Sequence, residues 1–390
     1  MRGRFQRRPY TSCEGLSLKK RHFWRRGISL GILTVVGLAT LIAQTKWKGS
    51  VVKEGDVTII SNPKEPLFKG PLLELEEDLS LGGPEAQGDY AFGKVQTFIV
   101  DGSGSIYVLD RMNFNVKIFD PSGRHLRTFS RKGQGPGEFE YPYTLSLNQT
   151  SGELALHELG DGITYFNTDG TFLRHVSLKT ALSLRAVVDE KGDIYLQEYI
   201  RKGDEAHDET KKLASDGSLI ASIAEGPSWF VFKPDPFRAT SYFLIDQANN
   251  LVFGQPLTYE IRFYGPADTK VFKKIMRDYD PVAVTAAERE REDQRRDPGG
   301  APIKHEFSKY QSAFRRFFAS DLGHLFVETW ETTSDGKKIH DIFDAEGRFI
   351  GRMPLKPSGI TILKGKYYAL EEDEDGYQYV KRYAVTWRVK

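Results

Sequence analysis

The 390-residue sequence contains one cysteine, Cys13, and it lies in a basic N-terminal stretch. Everything after that stretch can form neither a disulfide nor a cysteine-based zinc site. A cysteine-free body is compatible with an oxidising compartment. Helix-forming runs are scarce, whereas Gly (37), Pro (18) and aromatics (12%) are frequent. That balance points to an all-β fold with many turns. Catalytic signatures are missing too. No H-E-x-x-H string occurs, the G-x-S-x-G string Gly27–Gly31 falls at the head of an apolar run, and the acidic run Glu371–Asp375 lacks EF-hand spacing and reads as a solvated hairpin tip.

An excess of positive charge is absent from most of the chain. The formal net charge of +2 is misleading, because nine of the 55 Lys and Arg fall in residues 1–26, against one acid, Glu14. The remainder carries 46 basic and 52 acidic residues, a net of −6. Phosphate-backbone binding needs a concentrated cationic surface, so nucleic acid is not an expected partner.

Long apolar runs are also missing, with one exception. ISLGILTVVGLATLIA spans Ile28 to Ala43. Extended to 27–44, it would cover about 27 Å as a helix, at the short end of what crosses hydrocarbon. Lys19, Lys20, Arg21, Arg25 and Arg26 crowd its N-terminal side. By the positive-inside rule, residues 1–26 form a cytoplasmic tail and the rest is exported. The expectation is a single-pass protein held to an inner membrane by one helix, with its body in the periplasm. The alternative is a cleaved signal peptide with Gly37-Leu38-Ala39 as its small-x-small site. Against it, the tail is long for a signal n-region and no clean A-x-A follows the run. Both readings place the body outside the cytoplasm. Residues 45–66 read as a linker, with Asn62-Pro63 and Glu65-Pro66 as breakers.

What is present is a repeat. Its clearest copy is FIVDGSGSIYVLD (Phe98–Asp110) followed by NVKIFDPSGRHLRTF (Asn115–Phe129). This is strand, Gly-containing turn, strand, then a third and fourth strand about a second turn. Further copies begin at the turn positions Asn148, Asp189, Asp246, Asp321 and Lys364. From Asp101 onward the steps are 47, 41, 57, 75 and 43 residues. A four-strand meander cannot bury both its faces alone, so the spacing predicts six stacked blades over 67–390. The sixth copy ends at its third strand. Pro71–Leu81 is a spare strand, expected to close the ring as the fourth strand of the last blade. The long step holds an insert over 281–310. In it, Val284–Arg296 reads as a helix with Thr285 and Glu288 as a capping box.

The string GQGPGEF (Gly133–Phe139), beside the D-x-x-G-x-I-Y-V-x-D copy, resembles the NHL-repeat β-propellers. It is closer still to uncharacterised bacterial six-bladed β-propeller proteins. The resemblance implies the six-bladed fold, and such proteins share no uniform activity. Gly133, Gly135 and Gly137 read as a change of direction between blades, with Phe139 packing between them. A strand follows the glycines, not the helix a phosphate loop needs.

In a propeller the end of strand two and the start of strand one share a face. Read in register, the strand-two ends are Asp110, Glu158, Glu198, Gln255, Thr329 and Glu371, and the strand-one starts are Gln96, Tyr143, Arg185, Tyr242, Arg316 and Ser358. One channel rim is thus expected to carry acids, two arginines and two tyrosines. Arg and Tyr are residue types that anchor partners. The plainer account of the acids is that they accept bonds from turn amides, blade by blade. The reading is a binding module for a protein, peptide or glycan, without cofactor. A metal-dependent hydrolase or lyase at the channel, and a purely architectural role in the envelope, are the alternatives.

Overall fold

The computed structural model describes residues 46–388, apart from 181, 203–204, 229–234, 296–304 and 356–357. The basic tail and the apolar run 27–44 lie outside the described residues. Among the described residues no helix is long and apolar enough to cross a membrane.

In copies one, three and four the aspartate at the first turn is a turn device. Asp101 accepts the backbone N–H of Ser103 (2.8 Å) and Ser105 (2.9 Å). Asp189 does the same with Lys191 and Asp193, both at 2.9 Å, and Asp246 with Ala248 and Asn250, both at 2.9 Å. A side chain that satisfies two turn amides leaves the fourth position in left-handed backbone. Gly104 takes it with φ +94° and Gly192 with φ +85°, while in the fourth copy Asn249 adopts φ +61°. Asn tolerates that region better than other residues with a Cβ.

Each turn joins the first two strands of an antiparallel meander. Blade one comprises Val95–Val100, Ile106–Asp110, Asn115–Phe119 and His125–Phe129, and blade two Pro142–Asn148, Glu153–Glu158, Gly162–Asn167 and Phe172–Ser177. Blade three begins at Ser183–Val188, blade four at Tyr242–Ile245, blade five at Arg316–Ala319 and blade six at Ser358–Leu363. The expected closure is found. Leu73–Gly82 pairs antiparallel with Gln378–Trp387 and completes blade six. The architecture is an all-β six-bladed propeller.

The core is not one mass but six, one per blade junction. Phe139, Leu145 and Phe166 meet Tyr107 and Leu109 between blades one and two. Phe318, Phe326 and Ile342 meet Ile362 and Tyr367 between five and six. Leu81 and Val380 meet Phe98 and Val108 where the ring closes. Each fully buried Phe or Leu contributes about 2 kcal/mol, and no blade could bury these faces alone. Phe139 sits where the sequence places it, 1% exposed.

The linker reading of 45–66 is corrected. Ser50–Glu54 and Val57–Asn62 form a hairpin, and its second strand pairs in parallel with Val271–Arg277, so blade four has six strands. Asn62, read as a breaker, is buried at 3% exposure. Its amide nitrogen donates to the Met276 (3.1 Å) and Gly347 (2.9 Å) carbonyls, and its oxygen accepts from Phe349 N (2.7 Å) and Trp47 Nε1 (3.1 Å). The insert does hold the expected helix, Ala286–Asp293, with the Thr285–Glu288 capping box formed.

Candidate functional site at the channel mouth

The two ends of the ring differ. At the end carrying the strand one–two turns, neighbouring turns are bonded to one another. Gly102 N donates to Gln149 Oε1 (2.9 Å), and Gln149 N and Thr150 N donate to Glu190 (3.0 and 2.7 Å). Glu190 N donates to Asn249 Oδ1 (3.2 Å), Lys364 N to Asp321 Oδ2 (2.7 Å), and Lys364 Nζ to the Gly102 carbonyl. These bonds span five of the six blade junctions and lace that end together. The opposite end carries the interblade loops, the helical insert and the rim residues named from the sequence.

The structure sorts those residues into different jobs. Asp110 is fully buried and accepts from Gly93 N (2.8 Å), Lys94 N (3.0 Å), Asn113 N (3.2 Å) and Asn113 Nδ2 (2.8 Å). Glu158 accepts from Glu140 N (2.7 Å) and Tyr141 N (3.1 Å). Both pin the loop that leads into their own blade, the plainer account. Glu198 is paired with Lys211 at 2.6 Å on its own sheet. Glu371 accepts from the Tyr383 hydroxyl. Gln255 lies one residue beyond the Tyr242–Gly254 pair. Gln96 and Tyr143 fall on bulges, where the pairing passes from Val95 to Thr97 and from Pro142 to Thr144. Each bulge inserts one residue, so the inner-strand layer counted back from the turn is Thr97, Thr144, Arg185, Tyr242 and Arg316.

Arg185, Tyr242 and Arg316 are brought together from blades three, four and five. The Arg185 guanidinium carbon lies 4.4 Å from the centre of the Tyr242 ring and 5.3 Å from that of Phe243. Tyr242 meets Phe317 edge-on at 5.3 Å. Arg316 Nε donates to Glu328 Oε2 at 2.9 Å, and Arg315 holds the other oxygen at 3.3 Å. Glu328, opposite Arg316 in the pairing, was not picked out from the sequence, because blade five lacks the bulge that sets the count in blade one. Burial alone would raise the Tyr242 phenol, but Arg185 and Arg316 outweigh it and hold it below its ordinary value. Buried His157 is pushed down to about 3 by desolvation, reinforced by Arg185. Its Nε2 meets Ser183 Oγ at 2.9 Å.

Charge is unevenly matched in this layer. Glu328 serves Arg315 and Arg316, while Arg185 has no carboxylate partner among the described residues, and its Nε is buried without an acceptor. Blades one and two contribute only threonines to the same layer, so the bulk lies on one side of the channel. Among the described residues no three His, Cys, Asp or Glu side chains converge in the way metal ligands do.

Residues 85–224 match the family model of a 6-bladed beta-propeller. The match covers blades one to three, where the repeat is clearest. Among solved structures, a Bacteroides fragilis protein provisionally named as exported has a TM-score of 0.58 at 14% identity, covering 85% of this chain and 100% of its own. A Bacteroides vulgatus member of the duf4221 family has a TM-score of 0.49 at 11% identity, covering 81% of this chain and 99% of its own. The first likeness shows the fold. Among proteins with a curated description, none matches this chain.

Proposed function

We propose that the propeller is an extracytoplasmic binding module, and that its open channel mouth takes an anionic group carried by a protein, peptide or glycan. One observation carries the reading. Among the described residues Arg185 stands at the mouth with no carboxylate partner, beside a second arginine and an aromatic ring, on the end of the ring that is not laced by turn bonds. An arginine held against aromatic faces presents a preorganised fork for carboxylate or sulfate, at little ordering cost. The rest of the chain after residue 26 is net acidic, so attraction to an anion has to be local.

The location rests on the apolar run 27–44 behind a basic tail, and on a structural relative named as exported. We hold the run to be an anchor in an inner membrane with the propeller on the periplasmic side. The test is a glycan and acidic-peptide array probed with the full chain in detergent. Wild type, Arg185→Ala and a surface control, Arg124→Ala, are compared. Ligands retained by the control and lost with Arg185→Ala support the reading. Ligands indifferent to Arg185 overturn it.

A further inference from the structure

Outside the channel, the GQGPGEF loop and blade two enclose a pocket of about 730 Å³. That is within the range of sites for small ligands. The loop is built around the carboxylate of Glu138, which accepts from Arg131 Nε (2.6 Å) and Gly135 N (3.0 Å). A Cβ on Gly133 would lie 2.0 Å from Glu138 Oε2, so any other residue there would push the carboxylate out of its place. The motif that resembles a family signature therefore has a local product, a rigid wall facing the turn that ends the second strand of blade two.

The lining is acidic. Glu138, Glu140, Glu158 and Asp161 face the pocket, and its only basic residue is His175. Arg131 balances Glu138. Among the described residues Glu140, Glu158 and Asp161 have no lysine or arginine partner, and His175 Nε2 stands 3.7 Å from Asp161. Glu158 is the telling member. It is 5% exposed, its Oε1 takes both loop amides, and its Oε2 has no hydrogen-bond partner among the described residues. Desolvation, with Asp161 adding to it, raises its carboxyl above the ordinary value against the pull of those amides. A buried carboxylate with an unused oxygen gains most from a cation brought to it. At the rim, Tyr141 is 64% exposed and offers an aromatic face, which also attracts cations.

We infer that this pocket is a second binding site, separate from the channel mouth, and that it takes a ligand presenting a protonated amine. The amine lies between Glu158 and Asp161, with His175 Nε2 and Glu140 available to neighbouring hydroxyl or amide groups. An amino sugar and the side chain of a lysine both supply this chemistry.

The test is saturation-transfer NMR on the full chain in detergent with four probes: glucosamine, N-acetylglucosamine, glucose and Nα-acetyl-lysine amide. Glu158→Gln keeps an oxygen for the loop amides while removing the charge, and Asp161→Asn changes an exposed turn residue, so both variants keep the fold. Glu374→Gln, an acid outside the pocket, is the control. The expected result is binding of one or both amines, not of glucose or the N-acetyl sugar, weakened at least tenfold by each pocket variant and unchanged by Glu374→Gln and Arg185→Ala. Glucosamine alone identifies a sugar amine, and the lysine amide alone a side chain. No amine bound by the wild type, equal binding of the uncharged sugars, or indifference to both variants overturns the inference. Because Arg185→Ala is an arm of the experiment, failure of the channel reading and failure of this one are told apart.

Discussion

The Arg185 guanidinium lies over the Tyr242 ring, 4.4 Å from its centre, and so joins the inner strands of blades three and four at the channel mouth. The contact couples stability to the electrostatics of the candidate site. Arg185→Ala removes the charge that outweighs burial, so the Tyr242 phenol is expected to titrate at higher pH than in the wild type. 3-Fluorotyrosine at position 242, followed by ¹⁹F NMR against pH, reads the shift directly. The accompanying loss of stability is about 1 kcal/mol, as for a partly desolvated cation–π contact. A downward shift would contradict the electrostatic account.

Asn62 joins blade four to blade five through two backbone bonds, to Gly347 and Phe349, makes a third to Met276 within its own sheet, and holds Trp47 by a fourth bond. Asn62→Ala leaves the Phe349 amide and two carbonyls unpaired in a buried place, which costs roughly 3 kcal/mol. The urea midpoint should fall clearly. Asn62→Asp should fall as well, because a carboxylate cannot donate to the Met276 and Gly347 carbonyls.

At Asp110 each carboxylate oxygen accepts two N–H groups. Asp110→Ala is expected to lose roughly 3 kcal/mol, and Asp110→Asn to be destabilising too, since its NH₂ would face two donors. Hydrogen exchange should show residues 93–95 and 113 opening first. Global unfolding with no local opening would mean that the cap does not govern that loop.

Ring closure has a tight point. A Cβ on Gly351 of blade five would stand 2.3 Å from Leu72 Cδ1, just ahead of the closing strand, and Leu72 is fully buried. Gly351→Ala should therefore cost about 1–3 kcal/mol by overpacking. In a double-mutant cycle with Leu72→Ala, most of that cost should disappear, because the space it needs has been vacated. Additive effects would show that the two sites do not meet.

His157 gives a pH dependence with a definite sign. Its imidazole titrates near 3 when folded and about 6.5 when unfolded. As pH falls from 6.5 toward 3, the unfolded chain takes up the proton and the folded chain does not, so stability is lost over that window. The loss from this group is about 5 kcal/mol at the most. Asp208, pushed up to about 6 by burial, works in the opposite direction, since the folded form holds its proton longer. The measurement is thus a difference. Wild type minus His157→Gln, by urea denaturation at pH 7 and pH 4.5, should show the variant losing less.

Much of the architecture was legible along the chain. The first turns of copies one, three and four are local chemistry, an aspartate satisfying amides two and four residues ahead, so each of these copies announces its own hairpin. Counting all the strand–turn–strand copies yields six blades, and a sixth copy one strand short, with Leu73–Gly82 unpaired, leaves one sensible closure. The helix Ala286–Asp293 was legible for the same reason, since Thr285 and Glu288 cap it within four residues.

The channel layer was harder to read. One inserted residue at the bulges of blades one and two moves Thr97 and Thr144 into the place that counting assigns to Gln96 and Tyr143. Absence of that bulge in blade five puts Glu328 opposite Arg316. A bulge changes which face a side chain takes, and its presence depends on the neighbouring strand. The hairpin over 50–62 was invisible for a related reason. It has no repeat partner, and its place in blade four comes from the parallel pairing of its second strand with the distant Val271–Arg277.

The sequence by itself therefore determined the turns, the helix cap, the number of blades and the ends that join, because each depends on groups a few residues apart or on a regular count. The tertiary structure alone decided that Asn62 staples two blades, that Arg185 lies on Tyr242 with no acid paired to it among the described residues, and that Glu158 keeps one oxygen open to a pocket. Those outcomes rest on which distant groups share a buried space. Desolvation and pairing act on that shared space and have no signature along the chain.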